Sequence, residues 1–309
     1  MQERRKREKK IAVINAFIRI LVVVRSTKVA KKNILQKLSL TLQDCSKLSA
    51  MHTYNVILIS MAVMAVIVFI ALLYFKAGYG YLSTTKWGPK INNKTAWVLM
   101  EAPAFIFLLY YTVRYALSGA DSGNSNIVLY IMSGLYLLHY FQRSFIFPLL
   151  MRGKSTMPIA IMLMGLTFNT LNAYLIGGWL FTEAPAGMYE INWLWSPRFV
   201  IGLIVFFSGM AINLHSDHII RHLRKPGDTK HYIPKKGFYR YVTSANYFGE
   251  LTEWIGYAIL TWSPAGLLFA VWTFANLGPR AKSLTEKYEA EFGEEYKLLN
   301  KKHLIPFIW

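Results

Sequence analysis

Long blocks of apolar residues, separated by short polar segments, dominate the chain after residue 50. The run VILISMAVMAVIVFIALLYF, from Val56 to Phe75, contains no charged residue. A helix of about 20 such residues is long enough to cross the hydrocarbon layer of a membrane. Further apolar blocks lie at 97–115, 127–150, 158–181, 198–214 and 248–276, and the last is long enough for two spans that turn at WSPAG. The pattern predicts an all-α, polytopic integral membrane protein with seven transmembrane helices.

The first 50 residues have a different pattern. The charged stretch RRKREKK precedes the apolar piece IAVINAFIRILVVV, which is short for a span and contains Arg19. Such a piece is typical of an amphipathic helix that lies in the membrane interface. We therefore expect two parts: a basic N-terminal extension over 1–50, interfacial or flexible, and a seven-helix membrane domain over 51–309.

Charge supports contact with membrane lipids. The chain has 35 Lys and Arg residues against 16 Asp and Glu, and a net charge of +19. Basic clusters beside apolar spans attract anionic lipid headgroups, which explains this excess without a nucleic-acid partner. The chain has a single cysteine, Cys45, so no intrachain disulfide is expected.

The distribution of Lys and Arg among the loops predicts the orientation of the spans. Loops 76–96, 152–157 and 218–246 are basic, whereas loops 116–126 and 182–197 contain acidic residues and no Lys or Arg. Basic loops face the cytoplasm. The prediction is a multi-pass protein with a cytoplasmic C-terminus, in the endoplasmic reticulum of a eukaryote or the inner membrane of a bacterium. It leaves the basic extension on the opposite side, against the same rule.

One polar helix face follows directly on an apolar run, in NLHSDHIIRHLRKPGD. Asn213, Asp217, Arg221 and Arg224 recur at spacings of four, four and three, so a helix presents them on one side. Arginines paired with Asn and Asp suit a water-soluble anionic cofactor at the membrane surface. The alternative is an ordinary span end flanked by basic residues, and periodicity alone leaves both interpretations open.

A second polar face occurs in ANYFGELTEWIGYAI. Asn246, Glu250, Glu253 or Trp254, and Tyr257 fall there at helical spacing. Carboxylates within a membrane block normally face a cavity or a partner, which makes them functional candidates. A helix cap at the interface is the alternative for Asn246.

Two polar side chains lie inside apolar spans. Glu101 occurs in TAWVLMEAPAF and Tyr140 in LLHYFQRSF. Neutral O–H donors at such depth could together polarise a carbonyl group, although either residue alone is more often an interhelical hydrogen bond.

Metal and nucleotide-fold motifs are not indicated. His215, His218 and His222 lack an acidic third ligand at a fixed spacing, so no metal site is predicted. GYGYLS lacks the third glycine of a dinucleotide fingerprint and follows a membrane helix, so no Rossmann unit is expected.

Several of these segments together resemble one family. NLHSDHIIRHLRKPGD, YIPKKGFYRYVTSANYFGELTEWIGYAILTWS, LIPFIW, WVLMEAPAF and LHYFQRSF are similar to the steroid 5α-reductases, the 3-oxo-5α-steroid 4-dehydrogenases, over 78–309. The resemblance implies seven helices that enclose a cavity for NADPH and a steroid. It also implies NADPH-dependent reduction of the Δ4 double bond of 3-oxo steroids to 5α-dihydro steroids. Glu101 and Tyr140 would donate hydrogen bonds to the C3 carbonyl, and the hydride would be added at C5.

The same resemblance implies a cofactor site, and we expect the protein to be a monomer. Its cofactor residues would be Asn213, Asp217, Arg224, Asn246, Tyr288, Arg143, Arg152, Lys154, Glu250 and Trp254. Two positions depart from the family pattern, because Met164 and Tyr232 stand where basic residues are expected. The alternatives are a reductase of the same fold that acts on a polyprenol or a trans-2-enoyl-CoA, or a non-enzymatic sterol-binding membrane protein.

Overall fold

The computed structural model describes residues 28–76, 78, 80–82, 87–119, 126–153, 155–225, 228 and 230–309. These belong to two units, Met1–Asn55 and Val56–Trp309. The predicted interfacial helix in the first 25 residues lies outside the described part of the chain.

The described chain is mostly helical. Its helices are α1 (Lys28–Tyr74), α2 (Asn93–Leu117), α3 (Asn126–Phe141), α4 (Phe147–Leu150), α5 (Ile159–Gly178), α6 (Pro197–Arg221), α7 (Ala245–Thr261), α8 (Pro264–Phe292) and α9 (Glu294–Lys297). A π-helical turn, Gln142–Ile146, joins α3 to α4, and another, Trp179–Glu183, follows α5. Short 3₁₀ turns cover Gly80–Leu82, Ile191–Trp195 and Gly237–Arg240.

Two short strands accompany the helices. β1 (Lys90–Asn92) pairs antiparallel with β2 (Thr156–Pro158), with Lys90 opposite Pro158. They directly precede α2 and α5, so the ladder joins the starts of these two helices. The apolar pattern of the sequence did not predict this pairing.

Four segments of the described chain are long and apolar enough to cross a membrane: Met51–Tyr74, Asn93–Leu117, Ile159–Glu183 and Pro197–Arg221. Each overlaps a predicted span. The other three predicted spans are also helical, but they are not long and apolar enough to count as candidate spans. α3 has 16 residues before its π turn, α7 has 17 with two glutamates, and α8 becomes charged after Pro279. The protein is therefore a helical membrane protein with four candidate spans in the described part.

Polar caps define where several helices begin. The Asn92 side chain accepts the backbone N–H of Lys94 at 2.9 Å at the start of α2. At the predicted WSPAG turn, α7 ends at Thr261, Trp262 adopts a left-handed conformation with φ of 48°, and Ser263 caps α8 through the Gly266 N–H. The turn is confirmed, and its cap satisfies N–H groups that would otherwise lack partners.

α6 and α7 pack antiparallel with their backbones in contact. Gly202 faces Gly256, and Gly209 faces Gly249. A Cβ atom on Gly209 would lie 2.6 Å from the Glu253 Cα, and one on Gly256 would lie 2.7 Å from the Gly202 carbonyl oxygen. Small residues permit such close approach between membrane helices. This contact sets the polar ends of α6 and α7 beside each other.

An aromatic cluster fills the space between α3, α6, α7 and α8. Trp254 is 1% exposed, and its ring centroid lies 4.1 Å from that of Phe269 and 5.7 Å from that of Tyr136. Tyr257 and Phe206 complete the cluster from α7 and α6. Large rings bury much apolar surface with few rotatable bonds, so they form a rigid wall beside the end of α3.

Candidate active site

Glu101 and Tyr140 are joined through a third side chain, Asn169. Tyr140 Oη donates to Asn169 Oδ1 at 3.0 Å, and Asn169 Nδ2 donates to Glu101 Oε2 at 3.1 Å and to the Met100 carbonyl at 2.8 Å. The three residues come from α3, α2 and α5. The structure thus brings the two predicted catalytic residues together, and Asn169 is a member that the sequence analysis missed.

The Tyr140 hydroxyl lies in an aromatic environment. Tyr140 is 3% exposed, and its ring centroid lies 4.6 Å from that of Tyr136 and 5.9 Å from that of Trp254. Asn172 donates to the Tyr136 hydroxyl at 3.1 Å. Trp254, predicted as a cofactor residue, therefore packs against Tyr140. Rings that exclude water strengthen any hydrogen bond made there.

A buried pair, His139 and Glu253, lies beside this cluster. His139 Nδ1 is 2.8 Å from Glu253 Oε1, and both side chains are almost completely buried. The His139 ring centroid is 4.5 Å from that of Trp254. Sequence analysis considered Glu253 as a position on the polar face but did not identify His139 as its partner.

Arg143 forms ion pairs with acidic side chains of two other helices, α6 and α7. It lies on the π turn Gln142–Ile146, with Nη1 3.3 Å from Asp217 Oδ2 and Nη2 3.4 Å from Glu250 Oε2. Its guanidinium carbon is 4.6 Å from the Trp97 ring centroid and 4.5 Å from that of Phe147. Burial beside aromatic faces and two carboxylates fits arginine better than lysine.

The polar faces of α6 and α7 meet in a hydrogen-bonded network. Asn213 Nδ2 donates to the Asn246 carbonyl at 2.9 Å, and Asn246 Nδ2 donates to Asp217 Oδ1 at 3.3 Å. The Tyr239 hydroxyl donates to Asn246 Oδ1 at 3.3 Å. The structure therefore brings Asn213, Asp217, Asn246, Glu250 and Arg143 into one connected group, which we call the polar cluster.

Further polar atoms lie buried along these segments. Among the described residues, Ser216 Oγ, Arg221 Nη1 and Ser244 Oγ are buried without a hydrogen-bond partner. Such atoms are rare in folded proteins because each carries a desolvation penalty. A hydroxyl- and phosphate-rich ligand would supply the missing partners, so the donor set fits a dinucleotide.

The remaining predicted cofactor residues make other contacts. Arg152 Nη2 lies 3.1 Å from His222 Nε2, Arg224 is exposed, and the Tyr288 ring stacks on Tyr296 with centroids 5.3 Å apart. Lys154 lies outside the described residues. Their contacts do not join them directly to the polar cluster.

Three segments converge around Tyr288. The Tyr81 hydroxyl donates to Glu291 Oε2, His231 Nδ1 lies 2.6 Å from Glu291 Oε1, and the Tyr81 ring centroid is 5.2 Å from that of Tyr288. The Tyr81 and His231 hydrogen bonds lower the pKa of Glu291 below its ordinary value, since both stabilise the carboxylate. Tyr81 of GYGYLS thus lies beside a predicted cofactor residue, although GYGYLS is not a dinucleotide fingerprint.

The histidines of NLHSDHIIRHLRKPGD stack rather than converge. His218 and His222 have ring centroids 4.1 Å apart, and His222 Nδ1 contacts the His218 carbonyl at 2.8 Å. Within the described ranges, no group of three or more His, Cys, Asp or Glu residues is placed to hold a metal ion.

The fold and the site define a helical membrane protein in which a half-buried acid, Glu101, and a buried phenol, Tyr140, contact the same asparagine. Residues 155–309 match the profile of the family described as 3-oxo-5-alpha-steroid 4-dehydrogenase. The chain is 43% identical over 222 residues to human 3-oxo-5-alpha-steroid 4-dehydrogenase 1, covering 71% of this chain and 82% of that protein. It is 38% identical over 248 residues to steroid 5-alpha-reductase DET2 of Arabidopsis thaliana, covering 78% and 90%. The chain belongs to the 3-oxo-5-alpha-steroid 4-dehydrogenase family of oxidoreductases, which confirms the resemblance seen in the sequence.

Proposed function

We propose that the protein reduces the Δ4 double bond of 3-oxo steroids to 5α-dihydro steroids, with NADPH as the reductant. The observation that carries this proposal is the junction of Glu101 and Tyr140 through Asn169 in a buried aromatic site. The names of the relatives, which are steroid 5-alpha-reductases, support the substrate class.

Glu101 and Tyr140 act on the C3 carbonyl oxygen of the substrate. Addition of hydride at C5 moves electron density through the enone onto this oxygen, and the resulting enolate then takes up a proton from solvent at C4. Two O–H donors already placed at the oxygen stabilise the developing charge, and they do so best where water is excluded. The Tyr136 and Trp254 rings that pack against Tyr140 exclude water there.

The polar cluster would hold the cofactor. NADPH, when bound, supplies the hydride. Asn213, Asp217, Asn246 and Glu250 offer amides and carboxylates to ribose and nicotinamide groups, and Arg143 offers a cation. Arg152, Lys154, Arg224, Tyr288 and Trp254 are further cofactor candidates from the family resemblance. The buried Ser216, Ser244 and Arg221 atoms without partners are consistent with this use.

Two uncharged residues, Met164 and Tyr232, bear on the preference for NADPH over NADH. Met164 is 55% exposed and uncharged, and the Tyr232 hydroxyl donates to Asp228 at 2.7 Å. Lys235 lies 3.0 Å from Glu295, so its charge is partly balanced, whereas Lys236 and Arg240 remain nearby in sequence as possible 2′-phosphate partners. A comparison of NADPH with NADH at equal concentration tests this preference.

The membrane arrangement is part of the same proposal. The three remaining spans would be formed by α3 with its continuation to Leu150, by α7, and by the first half of α8. The helices would enclose the cofactor and the steroid, with the C-terminus in the cytoplasm and lipid on the outer faces. We propose a monomer as the active unit.

The decisive experiment is product analysis with purified protein. Progesterone and NADPH deuterated on the transferred hydride are expected to give a 5α-dihydro product with label at C5, detected by mass spectrometry and NMR. Parallel reactions with a polyprenol and a trans-2-enoyl-CoA test the other reductase activities. Absence of any 5α product from progesterone would reject the proposal. Steroid binding without reduction would instead support a sterol-binding protein.

A further inference from the structure

One buried amide contacts both candidate proton donors. Asn169 is 4% exposed. Its Nδ2 donates to Glu101 Oε2 at 3.1 Å, and its Oδ1 accepts the Tyr140 hydroxyl at 3.0 Å. Because the amide is shielded from water, these bonds have no solvent competitor and their geometry is well defined.

The orientation of the amide follows from its neighbours. The Met100 carbonyl oxygen, 2.8 Å away, can only accept a hydrogen bond, so the group that faces it must be the NH₂ of Asn169. The amide oxygen then faces Tyr140. An amide oxygen only accepts, so the Tyr140 hydroxyl must be the donor.

This arrangement has a consequence for Tyr140. A phenol has one proton, and here that proton is directed at Asn169. A substrate oxygen must therefore displace the amide oxygen before Tyr140 can donate to it. A substrate oxygen that gains negative charge competes best with the Asn169 oxygen for the Tyr140 O–H, since hydrogen bonds to charged acceptors are about twice as strong as neutral ones.

We propose that Asn169 is a positioning residue that holds the Tyr140 hydroxyl and the Glu101 carboxyl in place and yields the Tyr140 O–H, as a hydrogen-bond donor, to a carbonyl oxygen of the substrate. The proposal rests on the reduction proposed above. Asn169 Nδ2 already donates to Glu101 Oε2, so the other carboxyl oxygen is the one whose O–H donates a hydrogen bond to the substrate.

The same geometry bears on the substrate class. The oxygen of a carbonyl group conjugated to the double bond gains negative charge during hydride addition and can displace the Asn169 oxygen from Tyr140. The hydroxyl oxygen of an allylic alcohol gains no such charge. Asn169 therefore favours an enone over a polyprenol at this site.

The test compares two polar residues on α5. Asn169→Leu removes the bridge, whereas Thr170→Val removes only a hydrogen bond from the Thr170 hydroxyl to the Leu166 carbonyl, 2.9 Å long and within the same helix. We expect Asn169→Leu to lower kcat about 10- to 100-fold, the range expected when reacting groups are displaced by about 1 Å. The KM for NADPH should stay within about twofold, because cofactor binding in the ground state is not changed, and Thr170→Val should keep kcat within about threefold.

A double-mutant cycle with Tyr140→Phe separates positioning from a general structural role. Because part of the effect of Asn169 on kcat runs through Tyr140 and part through Glu101, Asn169→Leu should lower kcat by a smaller factor in the Tyr140→Phe background than in the wild type. An equal loss of kcat in both backgrounds would overturn the proposal, as would wild-type kcat in Asn169→Leu. If the leucine variant does not fold, Asn169→Ala removes the same two hydrogen bonds without adding bulk, and unchanged kcat there would also overturn the proposal.

The wild-type reaction distinguishes the two levels of inference. Wild-type protein that fails to reduce progesterone would reject the proposed function and the role of Asn169 with it. Wild-type turnover with an unaffected Asn169 variant would reject only the role of Asn169.

Discussion

The Arg143 guanidinium lies 3.3 Å from the Asp217 carboxylate, although the two residues are 74 positions apart. Arg143 follows the helix that carries Tyr140, and Asp217 lies on the polar face of α6. This ion pair therefore joins the candidate proton donors to the candidate cofactor site. Its second partner, Glu250 at 3.4 Å, brings α7 into the same junction.

Replacement of Arg143 by Met should destabilise the protein strongly. Two largely buried carboxylates would lose their cation, and breaking a buried ion pair from one side typically lowers the free energy of unfolding by about 3–5 kcal/mol. Thermal unfolding in detergent measures the effect. Lys297→Met is the matched control, because it removes an exposed pair with Glu294 at 2.8 Å and should change little. Equal stability of the two variants would contradict the role of Arg143.

Glu101→Leu and Tyr140→Phe should each reduce the rate of steroid reduction without unfolding the protein. Loss of one donor to a developing oxyanion typically lowers kcat about 10²- to 10³-fold. Because both residues act on one oxygen, the double variant should lose less than the product of the two single losses. Single-turnover rates with NADPH in excess provide the measurement. Wild-type rates in both single variants would exclude these residues as the donors.

Gly209→Ala should separate or distort α6 and α7. The added methyl group would meet the Glu253 Cα at 2.6 Å, which neither backbone can avoid without moving. We expect a loss of about 1–3 kcal/mol in the free energy of unfolding, as for other overpacked sites. Gly134→Ala is the control, because nothing lies within 4 Å of a Cβ atom there. That variant should be neutral or slightly more stable, and a similar loss in both would argue against the close contact.

Lys301 should make stability depend on pH above neutrality. Burial, aided by the Lys235 charge, lowers the pKa of Lys301 to about 8. An unfolded lysine titrates near pH 10.4. Between these values the unfolded chain binds the proton and the folded chain does not, so stability rises with pH.

Lys301→Met provides the comparison. Below pH 8 the wild type carries the full penalty of a partly buried charge. As pH rises from about 8 to 10.4, wild type should gain about 1–3 kcal/mol relative to the variant. The thermal midpoints of both proteins across this range check the sign. A constant difference would show that Lys301 titrates normally in the folded protein.

The sequence was sufficient to predict the helical membrane fold and to single out Glu101 and Tyr140, which the structure places on either side of Asn169. An uninterrupted apolar run indicates a buried or lipid-facing helix without knowledge of the helices that pack against it. The sequence therefore predicted the four candidate spans in α1, α2, α5 and α6. Glu101 was identified because a carboxylic acid within an apolar span costs free energy unless it has a hydrogen-bonding or charged partner.

The hydrogen-bond partners of the buried polar residues could be identified only from the structure. Asn169 lies on a helix that is apolar nearly all round, and periodicity does not show which neighbouring helix it faces. His139 has the same difficulty, since its bond to Glu253 spans 114 positions. The β1–β2 pairing and the π turn that aims Arg143 are likewise set by packing between segments that are distant in sequence.

The glycines of α6 and α7 also determine the register of these helices. Gly202 and Gly209 are seven residues apart, as are Gly249 and Gly256. Both facing pairs form in only one alignment, and a slide of two helical turns would leave a single pair in contact. That alignment is the one in which Asn213 reaches the Asn246 carbonyl. A substitution at Gly202, far along α6 from the polar cluster, should therefore disturb the hydrogen bond between Asn213 and Asn246 by shifting one helix along the other.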